Sequence, residues 1–178
     1  VREGAARDSK DLRAVINGVI DDANGGWRVA STVDGDARVL LPQVAKGSKV
    51  VIEGEFALQP PGNQQADFYL GWDHGRETDE FLKLAILPKA VTLFHFRDGR
   101  WRTLSWVSYT EPLEVSDGRN LKWHTATVAF DNKTRKLRLD LETKRWAEFE
   151  LKEHIPVDRT AIGVGTWGEK HARVYASI

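Results

Sequence analysis

The chain has 178 residues, a formal net charge of zero and no cysteine. Disulfide bonds and thiolate metal sites are therefore excluded, and the balanced charge does not favour nucleic acid or an anionic membrane as a partner. No run of about 18 apolar residues is present, so the sequence predicts no membrane span.

Residues 1–16 at the beginning of the chain are polar and charged and show no usable period. We predict that they form an N-terminal arm, and that residues 17–178 form a single β-sandwich domain. The abrupt polar start also leads us to expect that this domain belongs to a larger chain.

Short strands separated by turn-forming residues are predicted along the rest of the chain. Most show a period of two in hydrophobicity, which is typical of a strand with one buried face and one wet face. The predicted strand 37–41 stops at Pro42, and Asp98-Gly99 predicts a tight hairpin turn. Outside residues 121–151, the predicted strands are 17–20, 26–30, 37–41, 49–58, 66–72, 80–87, 91–96, 101–107, 161–167 and 172–178.

The segment Leu121–Leu151 shows the clearest alternation, with three consecutive antiparallel strands joined by short turns. Together with the other strands it predicts an all-β fold, a two-sheet antiparallel β-sandwich of the jelly-roll type with at most one or two short helices. We predict one core between the sheets that contains Phe56, Phe68, Leu70, Val128, Phe130, Leu139, Phe149 and Val164.

The outward face of this three-strand segment carries a candidate ligand site. If the first turn occupies residues 131–134 and the second occupies 143–145, three cross-strand rows form on that face. These rows are Trp123–Glu142–Trp146, Thr125–Asp140–Glu148 and Thr127–Arg138–Glu150.

In these rows Asp140 faces Glu148, and facing like charges destabilise a sheet. Tryptophan rings beside carboxylates suit sugar binding, because the rings stack on the sugar and the carboxylates accept from its hydroxyls. A carboxylate pair could also do acid–base chemistry or hold Ca²⁺, and a solvated face with screened charges is the alternative. We predict ligand-binding residues at Trp123, Trp146, Asp140, Glu142, Glu148 and Arg138.

A second candidate cluster combines Glu53 and Glu55 with Asp67 and Tyr69, which alternation places outward on strands that could be neighbours. It would form an acidic groove with one aromatic platform, so Asp67 and Tyr69 join the predicted ligand-binding residues; the alternative is a solubilising charged face. Among other residues, His95 is expected to be a hydrogen-bonded structural residue on the face opposite its phenylalanine neighbours. Gly163 and Gly165 suggest close sheet packing or the approach of a ligand to the backbone.

Several segments resemble a known superfamily. Trp123-His124 through Val128, Phe130 and Asp131 resembles the signature strand of laminin-G-like domains. The strand Leu137–Leu141, the segment Ile162–Thr166 and the closing strand are also similar to that group. On this pattern, residues 25–178 resemble the concanavalin A-like lectin/glucanase superfamily. The Glu-x-Asp-x-x-Glu motif of its retaining glucanases is absent, since Glu77-Thr78-Asp79-Glu80 lacks the final glutamate, and the alginate lyase motifs are not found either.

The resemblance and the candidate residues lead to three hypotheses of function. The first is a non-catalytic carbohydrate-binding module, without a catalytic residue, that works outside the cell, in the periplasm or at the cell surface. The second is a glycoside hydrolase or polysaccharide lyase on the same scaffold, and the third is a laminin-G-like protein-interaction domain. The first hypothesis expects a carbohydrate ligand, no nucleic acid partner and no required cofactor, with structural calcium left open.

Overall fold

A computed structural model describes residues 14–16, 18–23, 26–31, 35–44, 49–59, 65–72, 80–117, 120–142, 145–154, 161–168 and 173–177. Every regular element within these ranges is a strand. In chain order the strands are β1 (Ala14–Ile16), β2 (Gly18–Ala23), β3 (Gly26–Ser31), β4 (Gly35–Val44), β5 (Lys49–Gln59), β6 (Ala66–Trp72), β7 (Phe81–Ile86), β8 (Ala90–Arg97), β9 (Arg100–Ser108), β10 (His124–Asp131), β11 (Lys136–Leu141), β12 (Arg145–Glu150), β13 (Ala161–Gly168) and β14 (Arg173–Ser177).

Within the described ranges the strands form two seven-stranded antiparallel sheets. Sheet I has the order β1-β4-β13-β6-β7-β8-β9, and sheet II has the order β12-β11-β10-β5-β14-β3-β2. The two-sheet antiparallel sandwich predicted from the alternation is thereby confirmed, and each predicted strand overlaps a strand of the structure.

The core lies between the sheets and is built from alternate residues of the strands. On β10, Ala126, Val128 and Phe130 are buried at 0–2% exposure. Of the eight predicted core residues, seven are buried in this single core; Val164 lies on β13, but its side chain is outside the described residues. A period of two is sufficient to assign these faces, since successive side chains of a strand point to opposite sides of the sheet.

Two features of the N-terminal half differ from the sequence-based predictions. Residues 1–13 of the predicted arm lie outside the described residues, while Ala14–Ile16 form β1, which pairs with Arg38–Leu40 of β4. The predicted end of a strand at Pro42 is wrong, because β4 continues to Val44. Pro42 lies where the register between β4 and β13 shifts, and such an irregularity does not require the backbone N–H that proline lacks.

The β8–β9 hairpin turns at Asp98 and Gly99, which have φ angles of 51° and 73°. Positive φ at both central residues defines the type I′ turn predicted from the Asp-Gly pair. This turn places β9 at the edge of sheet I, with Phe96 opposite Trp101 and Phe94 opposite Thr103.

Candidate functional site

The face of sheet I that points away from the core carries an unusual group of aromatic and charged side chains. It begins at the centre of the sheet, where Asp67 and Tyr69 of β6 lie on this face because Phe68 and Leu70 point into the core. Asp67 pairs with Ala85 and Tyr69 with Lys83 of β7, so that Lys83 lies on the same face. Asp67 and Tyr69 have 0% exposure and Lys83 has 5%, so this part of the face is covered.

A buried ion pair is the centre of this group. Lys83 Nζ lies 3.3 Å from Asp67 Oδ2. The Asp67 carboxylate also accepts hydrogen bonds from Gln65 Nε2 at 2.9 and 3.1 Å and from the Tyr69 hydroxyl at 3.3 Å. A buried charge is tolerated when it is paired and its remaining lone pairs are satisfied, and Asp67 meets this condition.

Aromatic rings surround the ammonium group of Lys83. Its Nζ lies 5.2 Å from the ring centroid of Trp101, 5.7 Å from that of Phe94 and 5.9 Å from that of Tyr69. Cation–π contacts in this range hold both the cation and the rings, and they strengthen as water is removed. Lys83 therefore links the buried carboxylate of Asp67 to the partly exposed ring of Trp101.

Two tryptophans form the open part of the face. Trp101 and Trp106 of β9 are 43% and 64% exposed, and they lie opposite Phe96 and Thr92 of β8. The Trp101 ring rests on those of Phe96 and Phe81, with centroids 5.0 and 5.5 Å away. We call Trp101 and Trp106, with the rings of Phe81, Phe94 and Phe96 beside them, the tryptophan face.

On the other side of β6, strand β13 has glycines at the paired positions. Gly165 lies between Arg38 of β4 and Asp67 of β6, and Gly163 lies opposite Tyr69. The Arg38 guanidinium is 5.3 Å from the Tyr69 ring centroid, although two strand spacings of about 4.8 Å separate their strands. Because glycine has no side chain on this face, the long side chain of Arg38 reaches across β13. The glycine pair thus serves close packing on the sheet, one of the two interpretations drawn from the sequence.

The predicted rows on sheet II are wrong in register. Asp140 pairs with Thr127 and Trp146, and Glu148 pairs with Arg138, so Asp140 and Glu148 are not directly opposite each other. Both strand pairs are displaced by two residues from the predicted alignment, a shift that keeps the side chains of Arg138, Asp140 and Glu148 on the predicted face.

Asp140 and Glu148 are each paired with an opposite charge on that face. Arg138 donates to both carboxylate oxygens of Asp140 at 2.8–3.0 Å, and Lys136 Nζ donates to Glu148 Oε1 at 3.0 Å. These hydrogen bonds, with the charges of Asp140 and Glu148, raise the pKa of Arg138 and of Lys136. Backbone pairing places Trp146 beside Asp140, but the side chain of Trp146 is outside the described residues. The like-charge argument for a ligand site on this face therefore no longer holds.

Glu142 has a structural contact that the sequence did not suggest. It follows β11 with a φ of 50°, and its carboxylate is hydrogen-bonded to Nδ1 of His124, which is 4% exposed. The other ring nitrogen, Nε2, donates to the carbonyl oxygen of Glu114 at 2.7 Å. His124 thus joins the end of β11 to the segment before β10. Trp123, the neighbour of His124, is half-buried.

The second predicted cluster is divided between the two sheets. Glu53 and Glu55 are exposed on β5 of sheet II, whereas Asp67 and Tyr69 are buried on β6 of sheet I. The prediction that these residues line one acidic groove is wrong, because the two consecutive strands β5 and β6 belong to opposite sheets.

His95 is buried on the face opposite Phe94 and Phe96, as predicted, and its Nε2 is hydrogen-bonded to Glu80 Oε1 at 2.8 Å.

Neither a metal site nor a membrane span is found in the part of the chain that the structure describes. No three His, Asp or Glu side chains gather there in a way that could hold a metal ion. Within the same ranges, no helix has the length and apolar character needed to cross a membrane.

The fold is similar to those of known carbohydrate-binding proteins. The carbohydrate-binding module CBM66 from Bacillus subtilis aligns with a TM-score of 0.63 at 17% identity, covering 92% of this chain and 90% of that chain. The carbohydrate recognition domain of Emp46p, in its potassium-bound form, gives 0.65 at 8% identity, with 94% and 86% covered. Lectin II from Ulex europaeus gives 0.60 at 11% identity, with 92% and 89% covered.

The fold is the concanavalin A-like jelly roll. This confirms the fold that the strand pattern and the resemblance predicted. No protein-family model matches the sequence, and no curated protein matches it. The likeness is therefore one of architecture, and the residues of a site must be argued from this chain alone.

Sequence reasoning missed most of the tryptophan face. The signal available was the alternation of Trp101 and Thr103 with Arg100 and Arg102, which places the tryptophan on one face of β9. What alternation could not show is which strand lies beside β9, and hence that Lys83 of β7 reaches Trp101 across β8.

Proposed function

We propose that the chain is a non-catalytic carbohydrate-binding module whose main ligand surface is the tryptophan face. One observation carries the proposal: two tryptophans on one edge strand, 43% and 64% exposed, lie on the same face of sheet I. Large aromatic rings exposed on one face of a sheet are characteristic of recognition surfaces. The similar structures, named as a carbohydrate-binding module, a carbohydrate recognition domain and a lectin, support the same class of function.

The chemistry of the face suits a sugar chain. An indole ring offers a flat apolar surface on which the C–H face of a pyranose can stack. Beside the rings, the hydroxyls of Thr92 and Thr103, which are half-buried and exposed respectively, can exchange hydrogen bonds with sugar hydroxyls. Lys83, paired with Asp67 and touching Trp101, would hold that ring in one orientation before the ligand arrives, which lowers the entropic cost of binding.

In this proposal Asp67 and Tyr69 act beneath the surface, because neither has any solvent exposure. The strip on sheet II formed by Trp123, Arg138, Asp140, Glu142, Trp146 and Glu148 stays a predicted second ligand surface. A glycan long enough to contact both sheets would be needed for the two surfaces to act together.

The test is a binding measurement on polysaccharides. A panel of neutral and acidic polysaccharides is examined by affinity electrophoresis, followed by calorimetry on the best ligand. We expect Trp106→Ala to weaken binding by about 1–3 kcal/mol, because a central aromatic contact is lost. Trp106→Phe, which keeps a ring, should retain most of the affinity.

Val51→Ala is the matched control, since Val51 is an apolar side chain with 60% exposure on sheet II. This variant should bind as the unmodified protein does. Equal affinity of the Trp106→Ala, Trp101→Ala and unmodified proteins for every bound glycan would contradict the tryptophan face as the site. Glu148→Ala and Arg138→Ala test the strip on sheet II in the same experiment.

A binding module would leave the bound polysaccharide intact. Release of reducing sugar from a bound polysaccharide would show a glycoside hydrolase instead of a binding module. A glycoside hydrolase needs carboxyl groups for acid–base catalysis. On the tryptophan side of sheet I, the carboxylate of Asp67 is paired with Lys83, and this pairing does not favour such a role. A module of this kind would meet its glycan outside the cell, in the periplasm or at the cell surface.

A further inference from the structure

A cavity opens at one edge of the sandwich, on the opposite side of β9 from the tryptophan face. Its volume is about 240 Å³. Its wall from sheet I is formed by His95 and residues 102–104, and its wall from sheet II is formed by residues 150–153. Leu104, at the register shift of β9, and Leu151, 3% exposed, provide the apolar part of the lining.

His95 is a buried polar residue in the wall of this cavity, with only 2% exposure. Its Nε2 is hydrogen-bonded to Glu80 Oε1 at 2.8 Å. Since an ionised carboxylate only accepts, Nε2 donates this hydrogen bond. Within the described part of the chain no hydrogen bond to Nδ1 is found. His95 therefore adds a polar ring to the wall of the cavity, and Nδ1 is the ring nitrogen that a ligand there could engage.

The residues that line the cavity are balanced in charge, since Arg102 and Lys152 are cationic and Glu150 and Glu153 are carboxylates. Glu153 lies 3.4 Å from Arg102 and 3.6 Å from Arg97, and these ion pairs connect sheet II to the β8–β9 hairpin. All three side chains are at least 50% exposed, so the pairs are weak and the guanidinium groups keep donors for a ligand. Lys152 and Glu150 add one charge of each sign to the lining.

We propose that this cavity is a second binding site, which takes a single neutral sugar ring. Equal numbers of cationic and carboxylate groups favour neither an anion nor a cation, whereas hydroxyl groups can both donate to the carboxylates and accept from Arg102 and Lys152. The volume is below the 300–1,000 Å³ typical of sites for drug-sized ligands, so one ring fits better than a chain. The choice of a sugar among neutral polyols rests on the function proposed above.

The experiment is an NMR titration of the amide groups with D-glucose, D-galactose, D-mannose and D-fructose, each added separately. We expect at least one of them to give saturable shifts at His95, Arg102 and Lys152, and to shift the Nδ1 resonance of His95 in a long-range nitrogen–proton spectrum. Leu104→Trp, which places a larger side chain in the cavity, should weaken this binding at least about tenfold. Arg102→Ala and Lys152→Ala, two changes at exposed positions, should each weaken it several-fold.

Trp106→Ala is the matched control, because it alters the other face of β9 and should leave the shifts at His95 unchanged. Absence of saturable shifts with all four sugars, or shifts that persist in full in Arg102→Ala, Lys152→Ala and Leu104→Trp, would overturn the cavity site. If polysaccharide binding still depends on Trp106 in that case, the proposed function stands without the cavity. If shifts occur at the cavity while no polysaccharide binds, the second site stands and the tryptophan face fails.

Discussion

At the scale of single residues, burial separates the side chains of the core from those on the wet faces of the sheets. Phe130 and Asp140 illustrate the two cases. Phe130 is 2% exposed in the core, while Asp140 lies on the wet face of β11 and accepts from Arg138. The two environments predict very different costs of substitution.

Phe130→Ala should lower the free energy of unfolding by about 3–5 kcal/mol, because the substitution leaves a cavity among close-packed side chains. Urea denaturation followed by tryptophan fluorescence measures this. Ala129→Gly, at the half-buried neighbouring position, controls for backbone effects on the same strand. A loss below about 1 kcal/mol for Phe130→Ala would contradict the assignment of this face to the core.

Asp140→Asn should now lower stability slightly, by less than about 1 kcal/mol. The rows predicted from sequence placed Asp140 against Glu148, so that arrangement would leave the stability of the Asp140→Asn variant unchanged or slightly higher. In the structure Asp140 instead pairs with Arg138. The two side chains are 35% and 53% exposed, and surface ion pairs contribute little. Thermal unfolding at low and high salt measures the effect, and a stabilised variant would support the like-charge arrangement instead.

At the scale of the elements, the pairing of strands decides which side chains can act together. Strands β6 and β7 bring Asp67 and Lys83 together beneath the tryptophan face. The turn between β10 and β11 is held by the carboxylate of Asp131, which accepts from the backbone N–H groups of Lys133 and Thr134 at 2.9 and 3.4 Å.

Asp67→Asn should destabilise the protein by about 3–5 kcal/mol, since it removes the negative charge beside a buried ammonium group. The double variant Asp67→Asn with Lys83→Met should recover part of this loss, because the ammonium group of Lys83 is then no longer buried without its partner. Chemical denaturation of the two single variants and the double variant gives the coupling energy of the pair. Additive losses would show that the two charges do not depend on each other.

Asp131 should titrate below the ordinary pKa of an aspartate. Burial raises the pKa of Asp131. The backbone hydrogen bonds from Lys133 and Thr134 and the charge of Lys49 together lower this pKa by more, so the net shift is downward. A carboxyl with a lower pKa in the folded state stabilises the protein above its unfolded pKa. This stabilisation is lost as the pH falls through the folded pKa.

Carbon-13 NMR of the Asp131 carboxyl during an acid titration measures this shift directly. Lys49→Gln should raise the pKa part of the way back, since Lys49 Nζ lies 3.6 Å from Asp131 Oδ2. Lys133→Gln is the control, because its contribution is a backbone N–H that the substitution keeps. A pKa at or above the ordinary aspartate value would contradict the hydrogen-bonded turn.

At the scale of the whole molecule, two sheets share one core, and protection from solvent should decrease from the centre of each sheet to its edges. Strands β5 and β10 of sheet II and β6 and β7 of sheet I have a partner on both sides, whereas β9 and β12 are edge strands. Amide groups of central strands exchange mainly through global opening, while edge strands also open locally.

Hydrogen exchange followed by NMR should therefore find the slowest amides in β5, β10, β6 and β7, with faster exchange in β9 and β12. Far-UV circular dichroism should be dominated by strand in the same sample. Equal protection of β9 and β7 would indicate that another chain or segment covers this edge of sheet I. A spectrum dominated by helix would contradict the sandwich itself.

The sequence by itself determined the fold class, most strand positions and the faces of the strands. Physically this follows from the period of two: alternation in segments such as Leu121–Leu151 assigns each side chain to the core or to the surface without knowledge of the partner strand. The Asp-Gly hairpin turn was predictable for a similarly local reason, since its dihedral angles depend on two adjacent residues.

Register and the association of distant strands were decided only by the tertiary structure. Sliding β11 by two residues keeps every side chain on its face, so the hydrophobic pattern cannot distinguish the predicted rows from the observed ones. Positive φ angles at Arg135, which ends the first turn, and at Glu142, which begins the second, accompany the observed alignment. The contact of Lys83 with Trp101 spans three consecutive strands of one sheet, whereas the cavity between His95 and Glu153 depends on strands from separate parts of the chain. No local pattern records this cavity, because it arises where the edges of the two sheets meet.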